Sequence, residues 1–128
     1  MIYIVDTYAW IEYLIGSSKG AFFKKLLDNI NNKFITMDCC IAEIYGYCLK
    51  NNLDFDKIYR VIKSNSIILP IMIDTWINAA KARFELRKKI SNFGLIDSIL
   101  VAEQKDLKCK IVSGDYHFKN LPNVAYLN

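Results

Sequence analysis

Ile2-Tyr3-Ile4-Val5-Asp6-Thr7 is an unbroken apolar run followed at once by a carboxylate and a hydroxyl. Four consecutive apolar residues with β-branched Ile and Val suit a strand buried on both faces. From Thr7 the pattern changes to helical spacing and stops at Gly16, so Asp6 stands at the carboxyl end of a strand, where a helix begins. The same alternation continues along the chain. Lys33–Met37, Ile67–Ile71, Lys110–Ser113 and Val124–Leu127 read as further strands, with Pro70 marking an edge or a strand end. Ala21–Ile30, Cys39–Lys50, Phe55–Ser64, Asp74–Lys89 and Leu95–Lys105 read as helices, with Asp38 and Asp74 expected as N-caps. Strands that alternate with helices across short turns predict an α/β protein, a three-layer α/β/α sandwich around a mostly parallel central sheet.

Composition sets the outer limits. The chain has 128 residues, 53% of them hydrophobic and 23% charged, which excludes disorder and supports one core. No Pro/Gly/Ser-rich linker divides it, so a single domain over residues 1–128 is expected. The longest apolar run, Ile67 to Ile73 with Pro70 inside it, is far below the roughly 20 residues that cross a bilayer. Met1 to Ile15 carries no basic leader, and the expectation is a cytoplasmic protein without membrane contact. Cys39, Cys40, Cys48 and Cys109 form no Cys-x-x-Cys pair and His117 is the only histidine, which argues against a structural zinc site and for reduced cysteines.

Function is legible in where the acids fall. Asp6, Glu43 and Asp97 each interrupt an otherwise apolar stretch, and Asp115 follows the strand ending at Ser113. Carboxylates are seldom placed in such surroundings without a cap, a basic partner or a metal, and no Lys or Arg lies beside these four. In an open parallel sheet, ligands bind beyond the carboxyl ends of the strands, where Asp6 and Asp115 would emerge near the starts of the helices carrying Glu43 and Asp97. Two like charges about 4 Å apart repel by about 4 kcal/mol at an effective dielectric near 20, so four together call for a hard cation. Carboxylates and waters suit Mg²⁺ or Mn²⁺, and the chemistry such an ion supplies is phosphodiester hydrolysis. With these four set aside, seventeen basic residues face nine acidic ones, a net +8 that suits a phosphate backbone, single-stranded RNA in particular.

Four motifs then carry a resemblance: Val5-Asp6-Thr7-Tyr8-Ala9-Trp10-Ile11, Ile41-Ala42-Glu43-Ile44, Leu95-Ile96-Asp97-Ser98 and Val112-Ser113-Gly114-Asp115-Tyr116-His117-Phe118. In this order, across almost the whole chain, they resemble the PIN-domain ribonucleases, above all the VapC-type toxins. The resemblance implies an endoribonuclease dependent on Mg²⁺ or Mn²⁺, held in check by a VapB-type antitoxin and commonly homodimeric. It assigns Asp6, Glu43, Asp97 and Asp115 to the acidic quartet, and Thr7 and Ser113 to hydroxyls that support carboxylates or waters. Two relatives in fold stay open, an RNA-processing PIN nuclease without an antitoxin and a non-catalytic interaction module. A phosphoacceptor domain fits less well, because Asp6 has no adjacent acid and Ser113-Gly114-Asp115 stands where a lysine would be needed.

Other residues receive plainer readings. Glu12, Glu85, Glu103 and Asp106 read as solvated helix acids, and His117 as a surface or turn residue. Lys81, Arg83, Arg87, Lys88 and Lys89 form a stripe that is either a solvated face or an RNA track. Trp10 and Leu14, one helical turn apart, with Phe22 and Phe23 beyond, offer an apolar face for an antitoxin.

Overall fold

The computed structural model describes residues Met1–Asn128. The elements follow in the order β1 (Ile2–Val5), α1 (Thr7–Ile15), α2 (Ser18–Asp28), β2 (Lys33–Met37), α3 (Asp38–Lys50), α4 (Phe55–Asn65), β3 (Ile67–Leu69), α5 (Ile73–Leu86), α6 (Leu95–Leu107), β4 (Lys110–Ser113) and β5 (Val124–Tyr126), with a short 3₁₀ turn at Tyr116–Phe118. All five strands are parallel and lie in the order β3-β2-β1-β4-β5. The chain thus builds outward from β1 to one edge, then returns to place β4 on the other side of β1. The crevice at the carboxyl ends of β1 and β4 is the topological switch point of the sheet, the position where open α/β sheets bind ligands.

Alternation along the strands divides the core in two. Tyr3 and Val5 pack with Trp10, Phe23, Ile44 and Ile62 of α1 to α4, whereas Ile4 and Ile111 face Leu100 and Val101 of α6. α5 then closes on α6 through Ala79, Ile99 and Ala102. The three-layer α/β/α sandwich is therefore as expected from the sequence, and its sheet is parallel throughout.

Several local expectations are corrected. α2 starts three residues early because Ser17 is its N-cap, its hydroxyl accepting the Gly20 N–H at 3.0 Å. Asp38 and Asp74 are not caps. They lie in the first turns of α3 and α5 behind Met37 and Met72, where a negative charge favours the helix dipole without a side-chain bond. Glu103 is buried rather than solvated and accepts the Thr75 hydroxyl at 3.1 Å. The largest correction concerns α1. Trp10 and Phe23 are completely buried, their rings edge to face at 5.1 Å, and the Trp10 indole N–H donates to Thr36 Oγ1 at 3.0 Å. Leu14 packs against the same cluster. Of the four residues expected to face an antitoxin, Trp10 and Phe23 are therefore core and Leu14 is half-buried, while Phe22 of α2 stays exposed. A further exposed apolar stripe lies on α5, where Ile73, Trp76, Ile77 and Phe84 are 38 to 71% exposed along one side of the helix.

Candidate active site

The site grows from the turn between β1 and α1. Asp6 follows β1, and its backbone N–H donates to Val112 O of β4 at 3.0 Å, which ties the turn to the neighbouring strand. Asp6 is the N-cap residue of α1, and its carbonyl accepts from Ala9 and Trp10, but its side chain makes no capping bond. The carboxylate instead turns into the crevice and accepts the Ser113 hydroxyl at 2.7 Å. Capping, the ordinary reason for an Asp at this position, is therefore set aside.

Ser113 links two of the acids. Its Oγ also accepts the Asp115 backbone N–H at 3.0 Å, so the loop after β4 is held to Asp6 through one hydroxyl. Thr7, the first residue of α1, donates to Glu43 Oε1 of α3 at 2.7 Å. Each of the two hydroxyls thus donates to one of the carboxylates around the crevice. Asp97 sits in the first turn of α6 behind the N-cap Gly94, whose backbone N–H lowers its proton affinity.

The electrostatics match a crowded acidic pocket. Asp6 is buried, and its carboxyl is pushed up from an ordinary 3.8 to about 7. Desolvation is the main cause, opposed by the Ser113 hydrogen bond and reinforced by the charges of Asp97, Glu43 and Asp115. Asp97 rises to about 6, again chiefly through burial, with Asp115 and Glu43 adding to it and His117 working against it. The four acids are thus close enough to act on one another, and no Lys or Arg forms an ion pair with any of them.

His117 lies in a turn, as expected, but its ring faces this pocket rather than the surface. Asp115 caps the 3₁₀ turn by accepting the His117 backbone N–H at 3.0 Å, and Phe118 anchors the turn in the core. The imidazole is swung inward over Phe93, and Nδ1 lies 3.6 Å from Asp97 Oδ2 and 3.3 Å from Asp115 Oδ1. Neither ring nitrogen has a hydrogen-bond partner, although both are buried. One donor atom from each of Asp97, Asp115 and His117 lies within 4.8 Å of the other two. Two donors held about 2.1 Å from one ion stand about 3.0 Å apart at a right angle and about 3.4 Å at a tetrahedral angle. The residues present therefore fit a divalent cation, which one imidazole nitrogen, left without a hydrogen bond, would help to hold. Asp6 and Glu43 flank this trio.

A family model described as PIN domain matches residues 3–124. No curated protein matches the sequence. Among solved structures, the chain is similar to VapC20 of Mycobacterium tuberculosis, described as a sarcin-ricin loop cleaving toxin, with a TM-score of 0.78 at 13% identity over 98% of this chain and 99% of that one. It is also similar to VapBC2 of Rickettsia felis bound to a DNA fragment from its promoter, with a TM-score of 0.74 at 19% identity over 100% of both chains. A third likeness is to VapBC-1 of nontypeable Haemophilus influenzae, with a TM-score of 0.66 at 17% identity over 98% of this chain and 96% of that one. At these identities the likeness is one of fold.

Proposed function

The chain belongs to the PIN-domain family, and we propose that it is a Mg²⁺- or Mn²⁺-dependent endoribonuclease of the VapC type, controlled by a VapB-type antitoxin. The observation that carries this reading is the pocket at the sheet's switch point, where Asp6, Asp97, Asp115 and Glu43 act on one another and His117 presents buried, unpartnered nitrogens. Asp97, Asp115 and His117 would hold the ion, with Asp6 and Glu43 completing the donor set directly or through waters. When bound, such an ion supplies Lewis acidity, making a water acidic enough to attack near neutral pH and polarising a phosphoryl oxygen.

The chain's own groups do the rest. Ser113 fixes the direction of the Asp6 carboxylate, and Thr7 that of Glu43. Glu43 is the most open of the four acids, so its second oxygen is free to orient the attacking water and accept its proton. An imidazole among carboxylates favours Mn²⁺ over Mg²⁺. The exposed α5 stripe supports the homodimer: apolar side chains along one side of a helix suit the same stripe of a second copy across a twofold axis. Ile77→Lys should then lower the mass in solution without lowering the melting temperature. The direct test of the reading is RNA cleavage by the purified chain with Mg²⁺ or Mn²⁺. Cleavage is expected to stop in EDTA and in Asp6→Asn, and undiminished cleavage in excess EDTA would contradict it.

A further inference from the structure

Beside the acidic pocket runs a groove of about 430 Å³ that Asp115 and His117 share with it; Tyr8, Lys19, Tyr116 and Tyr126 supply the remaining side chains. Its floor explains a glycine. A Cβ on Gly114 would lie 2.6 Å from Cε1 and 3.0 Å from Cδ1 of Tyr8, so only glycine allows the Tyr8 ring to lie across the backbone of the loop that carries Asp115. Tyr8 in turn places a cation. Lys19 Nζ donates to the Tyr8 hydroxyl at 3.1 Å and sits 5.3 Å from the centre of its ring. Lys19 forms no ion pair, so its charge is available to a ligand. At the rim stands Tyr116, which is 71% exposed and lies 4.4 Å, ring to ring, from His117.

We propose that this groove is a nucleotide subsite, which seats the residue of the RNA strand next to the scissile phosphate, with Lys19 on a phosphate oxygen and a base stacked on Tyr116. The proposal rests on the ribonuclease reading and deepens it. Single-stranded nucleic acid is held by such pairs of features, a cation on the backbone and an aromatic face on the base, and the volume lies in the range of small-ligand sites. The groove's position supplies the rest of the argument. Because Asp115 and His117 line both spaces, a nucleotide in the groove has its phosphate at the acids, where an anion needs a local cation to offset their repulsion. Lys19 is the one cation in the lining. None of the basic residues from Lys81 to Lys89 lines this groove.

The test is fluorescence anisotropy of a fluorescein-labelled single-stranded RNA decamer of mixed sequence in EDTA, with steady-state cleavage in Mn²⁺ alongside. Tyr116→Ala and Lys19→Ala are each expected to raise Kd and KM at least fivefold with kcat less affected, and Tyr116→Phe to restore both. Lys19→Ala should also reduce the slope of log Kd against log salt by about 0.7, the value for one phosphate contact on a single strand, whereas Tyr116→Ala leaves the slope unchanged. Unchanged Kd and KM in both alanine variants of a chain that still cleaves RNA would overturn the subsite alone. A wild-type chain that neither binds nor cleaves RNA would overturn the subsite and the ribonuclease reading together.

Discussion

The aromatic core beneath α1 and α2 and the acidic pocket at the amino end of α1 are built from neighbouring residues, yet they act on folding with opposite sign. In the core, Trp10, Phe23, Phe34 and Tyr3 pack ring against ring, and the one polar contact is complete, because Thr36 accepts from Trp10 and meets Ser66 at 2.9 Å. Four residues before Trp10, Asp6 is equally buried but carries a carboxyl that resists ionisation, beside a histidine whose ring nitrogens have no partner. The core stabilises the fold without regard to pH or to a bound cation. The pocket is destabilising until something cationic enters it. A site that binds a cation strongly is one whose groups are poorly satisfied without it.

Removing a large core ring should give the greatest effect. Trp10→Ala is expected to lower stability by about 3 to 5 kcal/mol, since it leaves a cavity and removes the donor to Thr36. Urea denaturation measures this, and a loss below about 1 kcal/mol would mean that the core is not what holds α1 in place.

The pocket should respond to pH where the core does not. In the folded chain the Asp6 carboxyl titrates near 7, against 3.8 ordinarily, so between these values the folded state keeps a proton that the unfolded state has released. The contribution of Asp6 to metal-free stability should therefore be most favourable at low pH, fall as pH rises from about 4 to about 7, and stay low above that. A shift of this size corresponds to at most about 4 kcal/mol, at 1.36 kcal/mol for each pH unit. Asp6→Asn should flatten the decline, and the comparison to make is melting temperature in EDTA at pH 5 and pH 8 for both proteins. An equal decline in the variant would place its cause elsewhere.

A smaller effect separates the donors within the pocket. His117→Gln is expected to weaken Mn²⁺ binding by about tenfold and Mg²⁺ binding by less, because an imidazole nitrogen suits the softer ion. Calorimetric titration of each ion provides the comparison. Equal losses for the two ions, or none, would remove His117 from the donor set.

Sequence and structure agree where burial leaves a chemical mark. Buried parallel strands appear as uninterrupted apolar runs, as at Ile2 to Val5, and acids that break apolar stretches reveal themselves, as Glu43 and Asp97 do. Trp10 escaped because α1 is apolar on more than one face, and the sequence cannot say that α2 and α3 both pack against it. His117 escaped because a loop histidine gives no periodic signal. Only the capping by Asp115 and the burial of Phe118 show that the turn points inward. Lys19 and Tyr8 escaped for a related reason, since their meeting depends on the close approach of α1 and α2 and on the space that Gly114 leaves. Contacts between elements distant in sequence are what local patterns do not encode.

The pocket's double character is tested most directly by Asp97→Asn, through thermal melts in EDTA and in Mn²⁺ with RNA cleavage measured in parallel. Neutralising one of several crowded acids relieves repulsion, so the variant should melt at or above the wild-type temperature in EDTA, gain less from Mn²⁺ and lose cleavage. A variant that melts markedly lower than wild type in EDTA, or one that still cleaves RNA, would contradict the assignment of Asp97 to a metal-binding catalytic pocket.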